Sequence, residues 1–281
     1  MNSKQRREYW KKVERMRLKL ERKYKPKVQK ALEVQISSFT KAYEQDPDGA
    51  VGSLRSTPWD DALMSVYTDM FRETYMLFAE ATYQSVRKQA LKLRMMGRDD
   101  TWISEVKRWI LLHGLQLVST ITGNSKSLIL RIISDTLQEG VSEGLGTFET
   151  TQRIISRLND PEWTKTPYRA ERIVRTETAR AANEGTMAGA RSLPFVVEKV
   201  WISALDERTR VVPKDAYDHV AMDGQHADLD NAFISTSREG ATVVAMQPGD
   251  VTAPAGFTIN CRCAVAFEPK RDSNDRLILK Q

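Results

Sequence analysis

The sequence predicts an α+β fold, with an elongated helical N-terminal body and a small β-rich C-terminal module. Through most of the first 192 residues, apolar side chains recur every three or four positions, which is the period of a helix. After about residue 194, short runs alternate apolar and polar residues between Pro and Gly turns, as strands do. We therefore predict a basic helical arm and loop over 1–58, a helical body over 59–194, and a β-rich module with a short tail over 195–281.

The arm begins with a segment that favours helix. Residues 5–44 contain no Gly and a single Pro, Pro26, and their apolar positions form a narrow stripe. This pattern predicts one long amphipathic helix, or two helices joined by a bend at Pro26. Residues 45–59 contain several Gly and Pro residues and are predicted to form a loop.

Further helices are predicted along the body. The first spans about 59–96 and is capped by Gly97, and the second spans about 100–122 and is broken by Gly123-Asn124. Ser125 or Ser127 is then expected to cap a helix that runs to about 139, before a glycine-rich turn. Two more helices are predicted over 147–159 and 166–192. In the last of these, Gly185 and its neighbour Gly189 indicate close packing against another backbone.

The module after residue 194 reads as strands separated by turns. Residues 195–202, 242–246 and 260–267 are the three strand candidates. In the last of them, period-two alternation would place the Cys261 and Cys263 sulfurs on the same face.

Composition limits the possible classes of protein. An apolar content of 41% and a charged content of 28% are typical of a folded soluble chain, and no apolar run approaches the roughly 20 residues of a membrane-spanning helix. The basic start is not followed by an apolar segment, so secretion is not expected. Two cysteines exclude a disulfide framework and favour synthesis in a reducing cytoplasm.

The net charge of +6 conceals an asymmetry along the chain. Residues 1–30 hold thirteen Lys or Arg and three Glu, a local charge of +10, so the remainder sums to −4. Such an arm is either a solvated helix face or a contact for DNA or an acidic partner. The candidate contact residues are Arg6, Arg7, Lys11, Lys12, Arg15, Lys19, Arg22, Lys23 and Lys27.

Short polar signatures follow one another in the last ninety residues. They are Asp206-Glu207-Arg208-Thr209-Arg210, His219, Met222-Asp223-Gly224, Pro248-Gly249-Asp250 and Asn260-Cys261-Arg262-Cys263, preceded by a helical stretch over 169–185 that contains Arg175-Thr176-Glu177 and Asn183. In this order they resemble the phage Mu F-like head morphogenesis family, the portal-associated minor capsid proteins, over roughly 125–267.

The resemblance implies a minor head protein that is made in the host cytoplasm and incorporated into the virion, at the capsid interior or the portal vertex. Its expected partners are the phage portal protein and the scaffold or major capsid protein, with double-stranded DNA as a further partner of the basic arm. Neither a membrane contact nor a cofactor is expected. A cellular nucleic-acid-binding protein without a role in the virion is a separate class, in which the arm alone would determine binding.

Three interpretations of the signature residues compete. The favoured one is structural, because a small β-rich unit must satisfy its buried backbone groups with side chains. The residues assigned this role are Arg175, Thr176, Glu177, Asn183, Asp206, Arg208, Thr209, His219, Asp223, Gly224, Pro248, Gly249, Asp250, Asn260, Cys261, Arg262 and Cys263.

The other two interpretations are a zinc site and an enzyme. Zinc would use His219, His226, Cys261 and Cys263. However, Cys-x-Cys is an unusual spacing for zinc ligands. Several family members also carry an extra Cys pair after the Asp-x-Arg-Thr element, where this chain has Arg210-Val-Val-Pro-Lys and no thiol. The two cysteines are otherwise small buried hydrophobes. A DNA-processing enzyme of nuclease type would use His219 with Asp223, Asp206 or Arg208 as acid and base. Because the sequence contains no phosphate-binding loop or nucleophile motif, we predict no catalytic residue and no resident metal.

Overall fold

A computed structural model describes residues 1–54, 61–89 and 99–280 of the chain and confirms the α+β class. The helices are α1 (Ser3–Gln45), α2 (Pro47–Ser53), α3 (Asp61–Gln89), α4 (Asp99–Trp109), α5 (Leu115–Glu143), α6 (Thr147–Asn159), α7 (Pro161–Thr164), α8 (Thr166–Arg191) and α9 (Ala255–Thr258), with a π-helical turn (Ile110–Gly114) before α5. The prediction for α6 is confirmed at both ends, and that for α8 to within one residue.

Helix α1 continues through Pro26 and is therefore one helix. Proline removes one backbone donor and crowds the preceding turn. Pro26 is exposed, so water can solvate the carbonyl that its ring leaves unpaired, while Tyr24 and Val28 are buried on either side of it. The buried stripe thus holds the helix together across the proline.

The predicted loop over 45–59 is wrong in its first half. Asp46 caps helix α2, accepting a hydrogen bond from the Gly49 backbone N–H at 3.0 Å, and Pro47 occupies the first helical position. An Asp-Pro pair can begin a helix or form a turn, and the sequence pattern does not distinguish between these two structures. The rest of that loop, and the cap predicted at Gly97, lie outside the described residues.

The break predicted at Gly123-Asn124 is also wrong, because α5 runs unbroken from Leu115 to Glu143. Both residues of the pair are exposed, so the only cost of keeping them in the helix is the free energy that reflects their low helix propensity. Ser125 does not cap a helix. Its hydroxyl donates to the Ile121 carbonyl one turn earlier. The helix ends at Gly144, whose φ of 70° is the left-handed conformation that favours glycine at a C-terminal cap.

Five strands form the β-rich module. Strands β1 (Val197–Ile202), β2 (His226–Asp228) and β5 (Ala264–Pro269) make an antiparallel sheet in the order β2-β1-β5, and β3 (Phe233–Thr236) pairs with β4 (Thr242–Ala245). The three predicted strands are confirmed to within a few residues, apart from the start of β5. Cys261 and Cys263 precede that strand, so period-two alternation does not orient them. The short strands β2 and β3 were not predicted.

Contacts divide the chain into two compact units. The first comprises Met1–Arg22, Met70–Ile110 and Arg172–Gln281, and the second comprises Lys23–Asp69 and Leu111–Glu171. The division into 1–58, 59–194 and 195–281 follows the sequence pattern and stays a prediction. None of the described helices combines the length and apolar character needed to cross a membrane.

In the first unit, α8 lies against α3 with their backbones in contact. A Cβ built on Gly185 would lie 2.1 Å from the Tyr75 carbonyl oxygen, and one on Gly189 would lie 2.3 Å from that of Ala79. This confirms the close packing predicted for the two glycines. The second unit has its own apolar core, formed by α1, α2, α5 and α6 around Phe39, Ile129 and Ile154.

Candidate functional site

The polar face of α8 is bonded to the loops of the β-rich module. Glu177 and Arg180 form an ion pair with N···O distances of 2.7 Å, and their side chains are only 7% and 6% exposed. Arg180 Nε also donates to the Gly249 carbonyl at 2.9 Å. Gly249 has a φ of 84°, and its Cα approaches the α8 backbone so closely that a Cβ there would lie 3.2 Å from Arg180 Cα.

Two further side chains of α8 bind the segment that leads into β5. The Asn183 amide accepts from the Val265 N–H at 3.0 Å and donates to the Cys263 carbonyl at 3.2 Å. Thr176 Oγ1 accepts from the Asn260 N–H at 2.9 Å. Asn260 has a φ of 62°, and the amide on its side chain accepts from Arg175. The Arg-Thr-Glu helix therefore satisfies backbone groups that a loop cannot satisfy alone.

Asp206 organises the turn after β1. It pairs with both terminal nitrogens of Arg262, at 2.6 and 2.5 Å, and accepts from the Arg208 N–H and the Thr209 hydroxyl. The hydrogen bonds from Arg262 are the largest of the effects that lower the pKa of Asp206 to about 2. A two-pronged Arg–carboxylate pair fixes both direction and distance, so it holds this turn against the 260–263 segment.

Asp223 has a similar role at the next turn. It accepts from the Ser203 N–H at 2.9 Å and from Arg6 Nε at 3.0 Å, and Gly224 follows with a φ of 81°. The Ser203 hydroxyl donates to the His219 carbonyl at 2.5 Å. Neither Asp223 nor the 1% exposed His219 is thus presented to solvent as an acid–base pair would be.

The turn at Pro248 completes the set. Asp250 accepts from the Met246 and Thr252 backbone N–H groups at 2.7 and 2.9 Å. Glu184 on α8 lies beside it, accepting from Gln247 at 2.5 Å and from Trp109. Burial raises the pKa of Glu184 to about 7, with a further raising effect from Asp250, and the opposing charges of Arg191 and Arg180 only partly offset this.

The one group of potential metal ligands found among the described residues consists of His219, Cys261 and Cys263. His219 Nδ1 lies 3.5 Å from Cys261 Sγ and 3.4 Å from Cys263 Sγ, and all three residues are buried. The contact with Cys263 is the largest cause that lowers the pKa of the Cys261 thiol, whereas burial raises that of Cys263. His226 is not in this group, because it lies on β2 with Nδ1 2.8 Å from Glu198.

The basic N-terminal residues have two different environments. Arg6 and Arg7 are partly buried and are bound to Asp223 and to the Ala204 carbonyl. Arg17, which was not among the candidates, is 1% exposed and donates to the carbonyls of Arg262 and Cys263. The other candidates are exposed: Lys11, Lys12, Arg15, Lys19, Arg22, Lys23 and Lys27.

Sequence reasoning missed several residues that position these loops. Ser203 links two signature residues, and Trp10 Nε1 donates to the Arg262 carbonyl at 3.0 Å. A serine at the end of a strand and a tryptophan in an amphipathic stripe carry no signal of such roles. The burial of Arg17 could have been suspected, because it occupies the apolar stripe between Val13 and Leu20.

Comparison with known proteins gives one match. Residues 131–266 match the family model described as phage Mu protein F like protein. Neither a curated protein nor a solved structure matches the chain. The matched region begins within α5 and contains α8 and the signature turns described above. Over these residues the chain is similar to the phage Mu protein F like family, which supports a role in phage head morphogenesis.

Proposed function

We propose that this protein is a minor head protein that binds the portal protein during head assembly, at the portal vertex or the inner capsid surface. The family match over residues 131–266 is the observation that carries the proposal. The signature side chains agree with a role without catalysis, because they bond to backbone groups of the protein itself.

An exposed apolar surface supports a protein partner. At the C-terminal end of α5, Leu137 and Val141 lie one turn apart and are 48% and 83% exposed, and Phe148 at the start of α6 is 74% exposed. Exposed apolar side chains one turn apart on a helix, as Leu137 and Val141 are, commonly mark an interface. All three residues lie within the family match, so we assign the portal contact to this surface.

The N-terminal helix supports a second contact, with packaged DNA. At 100° per residue, the exposed Lys4, Lys11, Lys12, Arg15, Lys19 and Arg22 fall within an arc of roughly 100°. Glu8 lies in the same arc, so the face carries six cations and one carboxylate. A face of this charge attracts phosphates without reading their sequence.

The portal contact is tested by coexpression with the portal protein from the same phage genome, followed by size-exclusion chromatography. We expect one complex from the wild-type chain and at least a tenfold weaker one from Val141→Asp, because a buried charge would be unpaired. Leu111→Asp is the matched control, since Leu111 is 80% exposed and lies far along the helical segment from Val141. Equal binding by both variants would refute the assigned surface, and the absence of any complex with wild type would refute the portal partner.

The DNA contact is tested separately by mobility shift with double-stranded DNA of unrelated sequences. We expect binding that weakens steeply with salt and that falls by tenfold or more when Lys11, Arg15 and Lys19 are changed to Gln. The control variant changes Lys126, Lys165 and Lys214 together to Gln, which removes the same amount of positive charge elsewhere in the chain. Equal losses in the two triple variants would show that only net charge matters and would contradict the proposal.

The absence of catalysis is tested by incubating the protein with plasmid DNA and divalent cations. We expect intact plasmid. Cleavage that disappears in His219→Ala would establish the alternative enzyme.

A further inference from the structure

Three soft ligand atoms meet at one buried point of the first unit. The structure assigns a Zn²⁺ site to His219, Cys261 and Cys263, whose ligand atoms all lie within 4.8 Å of one another. The sequence interpretation favoured two reduced cysteines packed as small hydrophobes. The folded arrangement brings both sulfurs to a single imidazole nitrogen, and this inference does not depend on the proposed role in the phage head.

The distances fit a tetrahedral ion. Zn–S bonds of about 2.3 Å and a Zn–N bond of about 2.1 Å, set at the tetrahedral angle, place N and S roughly 3.6 Å apart. His219 Nδ1 lies 3.5 and 3.4 Å from the two sulfurs. A neutral Nδ1 has one lone pair, so it cannot accept a straight hydrogen bond from two thiols at once. An ion shared by the three atoms accounts for both contacts.

The surroundings hold the ligand side chains at this point. Nε2 of His219 has no hydrogen-bond partner in the described part of the chain, and its ring lies 4.5 Å from that of Phe257 and 5.9 Å from that of Trp201. The ring is thus held among aromatic side chains, with Nδ1 close to both sulfurs. The Cys263 N–H contacts Cys261 Sγ at 3.4 Å, which stabilises a thiolate.

The donor set determines the metal. Two thiolates and one imidazole suit zinc and exclude magnesium and calcium as preferred occupants, since those ions require oxygen ligands. Two thiolates also neutralise the charge of Zn²⁺. The ligands border a cavity of about 10 Å³, which is about the room that one water needs as a fourth ligand.

A bound ion would add a clamp between two segments that the Asp206–Arg262 ion pair also joins. His219 belongs to the return after β1, whereas Cys261 and Cys263 belong to the segment that Asn183 and Arg17 hold against α8 and α1. Zinc here is therefore structural. Its removal would loosen these loops without removing a reactive group.

The test measures metal in the full chain, expressed with zinc in the medium and then dialysed. We expect about one zinc per chain by elemental analysis, and at least a tenfold lower content in Cys261→Ser and in Cys263→Ser. His226→Ala is the control and should retain the metal, because His226 bonds to Glu198 and is 40% exposed. Loss of zinc in that control alone would overturn the assignment.

Cobalt provides a readout on the wild-type chain, which does not depend on whether the cysteine variants fold. The Co²⁺-loaded protein should show sulfur-to-cobalt charge transfer and the intense visible bands of a tetrahedral site, and a chelator should lower its melting temperature. A wild-type chain with no zinc and no such spectrum would refute the site. Full zinc content in both cysteine variants would refute it as well.

Discussion

Replacing Gly185 with Ala tests the closest packing in the first unit. The added Cβ would lie 2.1 Å from the Tyr75 carbonyl oxygen, 2.8 Å from its carbonyl carbon and 2.9 Å from its Cα. Non-bonded carbon and oxygen atoms require more than 3 Å, so α3 and α8 would have to separate by roughly 1 Å. No flexible side chain can move aside, because all three neighbours are backbone atoms.

The magnitude follows from two opposing effects. Overpacking of this kind costs about 1–3 kcal/mol and more where backbone must shift, so we take about 3–4 kcal/mol here. Ala stabilises a helix interior by about 1 kcal/mol relative to Gly. The net expectation is a loss of about 2–3 kcal/mol in the free energy of unfolding. Urea denaturation followed by tryptophan fluorescence and circular dichroism measures it.

Gly123→Ala is the matched control. Gly123 lies inside α5, and a Cβ there meets nothing within 4 Å, so the same substitution should stabilise the protein by about 0.5–1 kcal/mol. Gly189→Ala, with Ala79 O at 2.3 Å, should behave like Gly185→Ala. A Gly185→Ala protein at least as stable as the Gly123→Ala protein would refute the backbone contact between α3 and α8.

Three further predictions concern the polar face of α8. Glu177→Leu should destabilise the protein by about 3–5 kcal/mol because it removes the carboxylate that pairs with the buried Arg180, and in a double-mutant cycle the additional Arg180→Leu should cost much less than it does alone. The pKa of Glu184, raised to about 7 from 4.5, means that the folded state holds a proton that the unfolded state releases. Stability should fall by up to about 3 kcal/mol as pH rises from 4.5 to 7.5, and Glu184→Gln should flatten that slope in pH-dependent denaturation. Asn183→Ala should cost about 2–4 kcal/mol by leaving two backbone groups unpaired, whereas the exposed Asn124→Ala should change thermal stability by less than about 0.5 kcal/mol.

Periodic segments could be predicted from the sequence, and local exceptions could not. Helix α6 and the two glycines of α8 follow from spacing and residue size, which act locally. The wrong predictions at Asp46-Pro47 and Gly123-Asn124 share one cause, because these residue types occur both within or at the start of helices and in turns. Asn and Gly in a row end a helix or lie on its exposed side, and only the packing of Thr122 and Ser125 around them decides which.

The signature residues could be recognised from the sequence, but their partners could not. Asp206 with Arg208 and Thr209 is a local turn, yet its strongest bond is to Arg262, 56 positions away. The four-ligand zinc hypothesis failed similarly at His226, which was chosen by residue type, whereas the fold turns that side chain to Glu198. Pairs between residues far apart in the sequence depend on the course of the loops, and no periodic sequence pattern predicts that course.

The change of pattern near residue 194 shows where one type of secondary structure gives way to another, and contacts give a different kind of boundary. The segment 260–263 accepts hydrogen bonds from Trp10 and Arg17 of α1 and from Asn183 of α8, and it donates one to Thr176 of α8. A fragment that began at residue 195 would leave those backbone groups without their partners. Because the polar signatures bind elements from both ends of the chain, the β-rich module acquires its loop structure only together with α8 and the first turns of α1.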